Sequence, residues 1–566
     1  MNRRHPAESE EGSRLDGQKG KRHRCRLLLA VLMLLALGAA ACGTSGGDPS
    51  DAKPKPRIRV SVYDRVNVPS SEGSIVNNKI TRWIKEAGPV DVEFVPVLRT
   101  QAEQKLNGLF AAGEAPDLIM EYAPQIKNTL IDKGLLRPID DMIEQYSTTY
   151  KEILQRYPIL RKAGTGEDGR LYQFGRINET VPMRAVFIRT DWLERLQLDI
   201  PHTTEELFQV AKAFTEQDPD GNGKRDTYGI ALAGVSSAVI NEMFGLIHPD
   251  YVVRGGELVH GWDNIEAVTA FRKRIYDEGL ADREFWNDKN GYRARQDFLR
   301  GRIGIFMDQF NVPAAFYNDF YLRLKRNVPD ARLTVIPYPV TPVGQFNPIF
   351  VNPVQMTGVV NANTRNPEAV MQYVDFAVSE LFMKTMYFGF EGIHHKVTPD
   401  GCPRLTGMDK WRKEFNFGAG DFGMLTSPTL AGPCYYGTEK LDEKEPLQRE
   451  VQQMFELNSS YVNFALETAG PTHAEQMPRL PQHLQGILNQ VTGAVGTDGD
   501  IWLKAILTPN YSPGEARQEA EALWEQAGGK QVDEWYRSFY AHDRDQAIMT
   551  KDIYQLFREQ RAARGK

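Results

Sequence analysis

The chain has 566 residues, with 68 Lys and Arg against 74 Asp and Glu for a net charge of −6, and 41% of its side chains are hydrophobic. That length exceeds what one core can organise and calls for two or more domains. A mildly acidic chain without a basic block excludes nucleic acid as a partner, and the apolar fraction is that of a soluble globular body.

Lys19, Lys21, Arg22, Arg24 and Arg26 stand ahead of the apolar run LLLAVLMLLALGAAA (27–41), which Cys42 and Gly43 follow. A basic flank, a short apolar run and small residues at its end make a secretory signal, expected over residues 1–41. The run is too short for a bilayer, which needs about 20 helical residues. Ala39, Ala40 and Ala41 directly precede a cysteine, as in a bacterial lipoprotein signal, so Cys42 is the expected lipidation site, although such signals prefer leucine where Ala39 stands. No later segment is long and apolar enough to span a membrane. Residues 42–56 then form a flexible polar tether. Of the other cysteines, Cys25 leaves with the signal. Cys402 and Cys434 can pair in an oxidising compartment or remain thiols, and their spacing supports no zinc site.

Order is expected from Arg57. IRVSVYD (58–64), VDVEFVPV (90–97) and APDLIMEY (115–122) read as strands, separated by helical patterns over 75–87 and up to Gly113. This alternation is the mark of a mostly parallel sheet with helices on its faces, and so of an α/β fold. Ligands of such sheets sit beyond the carboxyl ends of the strands, which makes Asp64, Glu121 and Tyr122 candidate cleft residues. Strands follow at 169–175, 301–307 and 357–363, and helices at 134–146, 263–280 and 368–389, the last read as one long helix. AVFIRTDWLERLQL (185–198) is a strand running into a helix, and Thr203 or Thr204 can cap the next one, with Glu205 or Glu206 in its first turn. TVIPYPVTPVG (334–344) holds too much proline for a central strand and reads as a connector. Residues 391–440 read as loop, and 441–566 as mostly helical.

DPDGNGKRDTYG (218–229) places oxygens at Asp218, Asp220 and Asn222, a turn-permitting Gly223, the backbone carbonyl of Lys224, and Asp226. That is the order of the first nine positions of an EF-hand loop, where alternate residues point oxygens at a hard cation. Gly229 replaces the closing glutamate, so a structural calcium ion is expected rather than a sensor. The other reading is an Asx-rich turn without metal. No nucleophile elbow, P-loop or zinc-protease motif is present, and His394 and His395, being adjacent, share no helix face. Paired carboxylates leave a secreted glycoside hydrolase open. Trp262, Trp286, Tyr387 and Trp411 are candidate platforms for sugar rings, with Glu121, Asp308 and Glu391 as acceptors for hydroxyls. The acidic total charge disfavours a polyanionic ligand unless a local basic patch overrides it.

The order of several segments carries a resemblance. LFAAGEAPDLIM (109–120), KGLLRPIDDMI (133–143), IRTDWLERLQLDIPHTTEEL (188–207), AFTEQDPDGNGKRDTYGI (213–230), YDEGLADREF (276–285) and YFGFEGIHHKV (387–397) run through the mature chain. Together with the lipoprotein signal they resemble family 1 extracellular solute-binding proteins, in the Gram-positive subgroup related to LplA-type lipoproteins. The resemblance implies a type II-like fold of two α/β lobes that close on a carbohydrate. It implies a monomeric, non-catalytic receptor, lipid-anchored on the outer face of the cell membrane, that delivers an oligosaccharide or modified sugar to the permease subunits of an ABC importer. It also implies calcium in the 218–226 loop. The lobes are expected as 57–180 and 181–355, with 356–566 supplying crossover segments and C-terminal helices. A ligand- or partner-binding lipoprotein outside transport stays open beside the hydrolase.

Overall fold

The structure, a computed structural model, describes residues 54–247, 250–399, 401–427, 441, 444–464 and 480–563. The expected signal peptide, Cys42, the tether up to residue 53 and Cys434 lie outside them. Cys402 is disulfide-bonded. Among the described residues no helix is long and apolar enough to cross a membrane.

Two sheets organise two lobes. In the first, β1 (Arg57–Asp64), β2 (Asp91–Leu98) and β3 (Leu118–Met120) are parallel, with β1 in the middle. Most of β1 is buried, as befits a parallel strand covered on both faces. Its one polar interior residue, Ser61, is satisfied across the sheet by the Met120 amide at 2.7 Å. The helix Lys79–Ala87 starts at Asn78, whose side chain accepts from the Ile80 and Thr81 amides while Thr81 returns a bond to the Asn78 amide. A reciprocal cap of this kind is worth about 1 kcal/mol. Ile80 and Ile84, one turn apart, are fully buried under the sheet.

The chain adds β4 (Gln173–Ile177) and crosses to the second lobe. There β5 (Arg184–Arg189), β6 (Tyr228–Ile230), β9 (Ile303–Gln309) and β10 (Leu333–Ile336) form a sheet in the order β10-β5-β9-β6. A hairpin of β7 (Tyr251–Arg254) and β8 (Glu257–His260) stands apart. The period-2 geometry of a strand splits β5 between two cores: Val186 and Ile188 face the C-terminal helices, whereas Ala185 and Phe187 face a group of phenylalanines that includes Phe298, Phe310 and Phe320. The chain then returns as β11 (Val354–Val360), antiparallel between β3 and β4. The helices from Gln482 to His542 pack on the second lobe, while the last helix, Thr550–Ala563, packs on the first through Ile553, Tyr554, Leu556 and Phe557.

Two antiparallel passes are among the segments that join the lobes. Residues 178–183 run beside 349–353, tied by the Asn178 amide to Pro353 O (2.8 Å), the Val351 amide to Val181 O (3.0 Å) and the Met183 amide to Ile349 O (2.7 Å). The final helix clamps this joint. Gln560 accepts from the Thr180 amide (2.7 Å) and donates to Asn178 O (3.1 Å). The chain also passes between the lobes at residues 547–549, where Ala547 and Met549 belong to the second-lobe core and Ile548 to the first.

Three local expectations change. Residues 368–389 are two helices, Pro367–Ala377 and Glu380–Phe388, because Ser379 caps the second through the Phe382 amide. The start of 334–344 belongs to the edge strand β10, with Pro337 just beyond it. The stretch read as loop from 391 contains the hairpin β12 (His395–Val397) and β13 (Pro403–Leu405) and the helices Met408–Glu414 and Asn416–Phe422.

Candidate ligand cleft

The carboxyl ends of β1, β2 and β3 open on a cleft of about 1230 Å³ whose lining includes Tyr63, Arg99, Glu121, Tyr122, Gln355 and Gln546. Tyr63, the next-to-last residue of β1, and Tyr122, just after β3, stack with ring centroids 5.9 Å apart. Arg99 follows β2 directly, with its guanidinium 5.2 Å from the Tyr63 ring centroid and 5.7 Å from that of Tyr122. Arg65 makes a two-pronged pair with Asp421, at 2.6 and 2.7 Å. Arg176, near the end of β4, donates twice to the Gln355 side-chain oxygen (3.1 and 2.7 Å) and once to Gly423 O (3.4 Å). The Tyr122 hydroxyl reaches Gly420 O at 3.4 Å. The segment 420–423 therefore gathers Tyr122, Arg65 and Arg176 on one side of the cleft, where Tyr122 and Gln355 are the lining residues.

Glu121 lies beneath that wall and is 1% exposed. Its carboxylate accepts from the Tyr63 hydroxyl and from the Ala123 amide (2.7 Å), and its second oxygen is buried without a partner. Burial, and then the bond to Glu121, hold the Tyr63 phenol above its ordinary range. Lys127, also buried, ties the end of β3 to the start of β11 through Glu121 O (2.9 Å) and Met356 O (2.6 Å). These groups set the positions of the tyrosines.

On the second lobe, Arg184 at the start of β5 pairs with Glu242, which also accepts from the Tyr338 hydroxyl at 2.8 Å. Asp308 ends β9 opposite Ala185, and Arg295 lies 3.8 Å from its carboxylate. Burial raises the Asp308 carboxyl above its usual range, against the pull of the Gln309 amide and of Arg295.

The residues singled out from sequence are distributed unevenly. Tyr122 and Glu121 line the cleft, Glu121 as a sealed support and not as a reaching acceptor. Asp64 accepts from the Val66 amide at 2.8 Å and fixes a turn where Val66 has φ 56°. Tyr387, on the helix Glu380–Phe388, is half-buried; burial raises its phenol and the charge of Arg176 opposes that shift. Trp262 is a packing residue, face to face with His260 at 3.8 Å and beside Trp502 and Trp524. Trp411 packs against the first-lobe core. Glu391 is exposed and pairs with Lys384 at 3.0 Å. Trp286, 43% exposed, stands on the short turn Phe285–Asn287. Tyr63, Arg65, Arg99 and Arg176 were not selected, although the strand-end rule that picked Asp64 reaches each of them.

The loop after the helix Thr204–Glu216 is wound by Asp218, Gly221 and Gly223 at φ 50°, 71° and 76°. Asp218 accepts from the Asn222 amide (3.1 Å) and the Gly223 amide (2.9 Å). The Asn222 side-chain nitrogen spans Asp220 (2.8 Å) and Asp226 (3.1 Å), and the Lys224 amide donates to Asn222 Oδ1 (2.7 Å). Burial, then the bond to Asp218 and the charge of Asp226, push the Asp220 carboxyl up; the Gly223 amide holds Asp218 down. Oxygen donors crowded in this way suit a hard cation. Among the described residues no group of three or more His, Cys, Asp or Glu is already arranged to hold a metal ion.

The polygalacturonan/rhamnogalacturonan-binding protein YtcQ of Bacillus subtilis is 26% identical over 398 residues, covering 67% of this chain and 75% of that protein. The fructooligosaccharide ABC transporter substrate-binding protein FusA of Streptococcus pneumoniae is 27% identical over 253 residues, 41% of this chain and 47% of FusA. A structure of a FusA EF-hand mutant in complex with fructo-nystose superposes with a TM-score of 0.60 at 17% identity, over 86% of this chain and 99% of that one. Alginate-binding protein AlgQ2 without calcium ion superposes with a TM-score of 0.59 at 20% identity, over 87% and 99%. Both superpositions show the same two-lobed α/β fold. The family model described as bacterial extracellular solute-binding protein matches residues 68–380, more than half of the sequence, and the chain belongs to that family of binding proteins.

Proposed function

We propose that the protein is the receptor of an ABC-type importer for a carbohydrate, and that the ligand lies in the cleft at the ends of β1–β3. The observation that carries this is the stacked pair Tyr63–Tyr122, flanked by arginines and set beside a two-pass hinge. Flat aromatic faces match the apolar faces of sugar rings, while guanidinium and amide groups take the oxygens. YtcQ and FusA, both named for polysaccharide or oligosaccharide binding, support the same class. Ligand contacts to both lobes favour the closed state, and the shift is set by the difference in affinity between the two states. Tyr387 and Asp308 extend the proposed surface, one from each lobe.

The wound loop is proposed to hold calcium through Asp218, Asp220, Asn222, the Lys224 carbonyl and Asp226. The EF-hand of FusA supports this. Bound there, the ion would hold the loop between the helix Thr204–Glu216 and β6. Anchoring through Cys42 at the outer membrane face completes the proposal.

The test is a thermal-shift panel of oligosaccharides on the purified chain, since a ligand of the folded state alone raises the melting temperature. Tyr122→Ala should remove the shift without lowering the ligand-free melting temperature by more than a few degrees. Turnover of a glycan, lost on a carboxylate substitution, would instead establish a hydrolase.

A further inference from the structure

We infer that the cleft selects an anionic ligand, an oligosaccharide bearing carboxylate groups, and that Arg99 and Arg176 are the residues that bind them. The inference rests on the carbohydrate-receptor reading of the same cleft. The chain as a whole is acidic, so the argument turns on how charge is distributed along this wall.

Of the three guanidinium groups there, Arg65 is neutralised by Asp421 through two short bonds. Arg176 is half-buried, yet its partners are the neutral oxygens of Gln355 and Gly423. A guanidinium withdrawn from water and given only neutral acceptors lacks the countercharge that would offset its desolvation. Arg99 is exposed and makes no ion pair among the described residues; it is oriented by the Tyr63 and Tyr122 rings. A guanidinium lying against ring faces keeps its N–H edge free for a carboxylate, the group its fork geometry matches best.

The acids nearby are mostly engaged. Glu121 is sealed under Tyr63 and Asp421 is paired with Arg65; of the other carboxylates lining the cleft, Asp168 accepts from the Tyr172 hydroxyl (2.8 Å), Asp132 has a partner, and Glu167 is exposed. Burial raises the Tyr122 phenol; Arg176, Arg65 and Arg99 act against that shift and the charge of Asp421 acts with it. A uronic-acid ring has its carboxylate at its edge. It can therefore lay a face on Tyr122, the less buried of the two tyrosines, while the edge meets the arginines.

The experiment is calorimetry on the full chain with galacturonate, glucuronate and mannuronate trimers, their methyl esters, and neutral trisaccharides, at low and raised salt. The expected result is that at least one uronate trimer binds, that its ester binds roughly 10- to 100-fold more weakly, and that salt weakens the acid but not the ester. Arg99→Gln, at an exposed position, should keep the wild-type melting temperature and lower affinity for the acid by roughly tenfold more than affinity for the ester. Arg176→Lys should recover more acid binding than Arg176→Gln. Equal binding of acid and ester, or a neutral trisaccharide that outcompetes every uronate, overturns the charge assignment and leaves the receptor reading standing. Binding of no glycan of either kind overturns both.

Discussion

Gln560 offers the sharpest probe of how the lobes are joined. Its side chain is 4% exposed, accepts from the Thr180 amide and donates to Asn178 O, both on the first hinge pass. Thr180 is itself 1% exposed, and its hydroxyl has no partner, so nothing local replaces the lost acceptor. Gln560→Leu keeps much of the volume and removes both bonds. A stranded buried amide costs about 1–3 kcal/mol and a lost neutral hydrogen bond about 1, for a sum of about 2–4 kcal/mol. At about 1.4 kcal/mol per factor of ten, exchange of the Thr180 amide should accelerate by roughly 30- to 1000-fold. Hydrogen exchange read at the peptide covering 178–183, with a core peptide of β1 as control, makes the measurement. If Thr180 exchanges at its wild-type rate and the melting temperature is unchanged, the last helix does not clamp the hinge and the reasoning fails.

Calcium affinity should fall on acidification sooner than for isolated carboxylates. Asp220 is raised by burial and by Asp218, so protons compete with the metal for it at higher pH; titration calorimetry at two pH values and melting with chelator check this. His394 and His395 are buried and held below their ordinary range, chiefly by desolvation, and the Phe390 amide donates to His394 Nδ1 at 3.0 Å, which requires the neutral ring. The unfolded chain takes up these protons first, so stability should be fully present above the unfolded value of about 6.5 and fall as pH drops below it, a slope that His394→Gln should reduce in melting curves. A Cβ at Gly229 would stand 2.0 Å from the Ala211 carbonyl oxygen, where the helix Thr204–Glu216 meets β6, whereas one at Gly108 meets nothing within 4 Å. Gly229→Ala should therefore destabilise by about 1–3 kcal/mol or more, and Gly108→Ala, in a helix interior, should stabilise by about 0.5–1, both read by denaturant unfolding.

The repeating parts of this fold were open to inspection in the sequence. β1 and β2 announce themselves by β-branched runs, and Thr203 caps its helix with Glu206 as a capping box should. Failures fall where a single residue or a long-range partner decides. Ser379 splits a helix that periodicity carries straight through. Trp262 looks like a ring platform until His260, Trp502 and Trp524 close around it. Glu121 is reached by position at a strand end, but its burial depends on Tyr63, 58 residues away. A charge in sequence says nothing of its partner: Arg65 finds Asp421 across 356 residues, while Arg99 and Arg176 find no carboxylate among the described residues.

The last pass between the lobes bears on the order in which the protein can be built. The sheet that begins with β1 receives β11 only after the entire second-lobe sheet has been made, and its hinge is latched by Gln560 near the end of the chain. The lobe that starts first is thus finished last. Contacts of such sequence separation form slowly, because loop closure costs entropy before the contact rewards it. A nascent chain stopped short of Thr550 would carry an unlatched hinge and an uncovered Phe350, the residue against which Tyr554 and Phe557 pack. The first lobe thereby takes its latch and the cover of Phe350 from the helix Thr550–Ala563, which lies beyond the whole second-lobe sheet in the sequence.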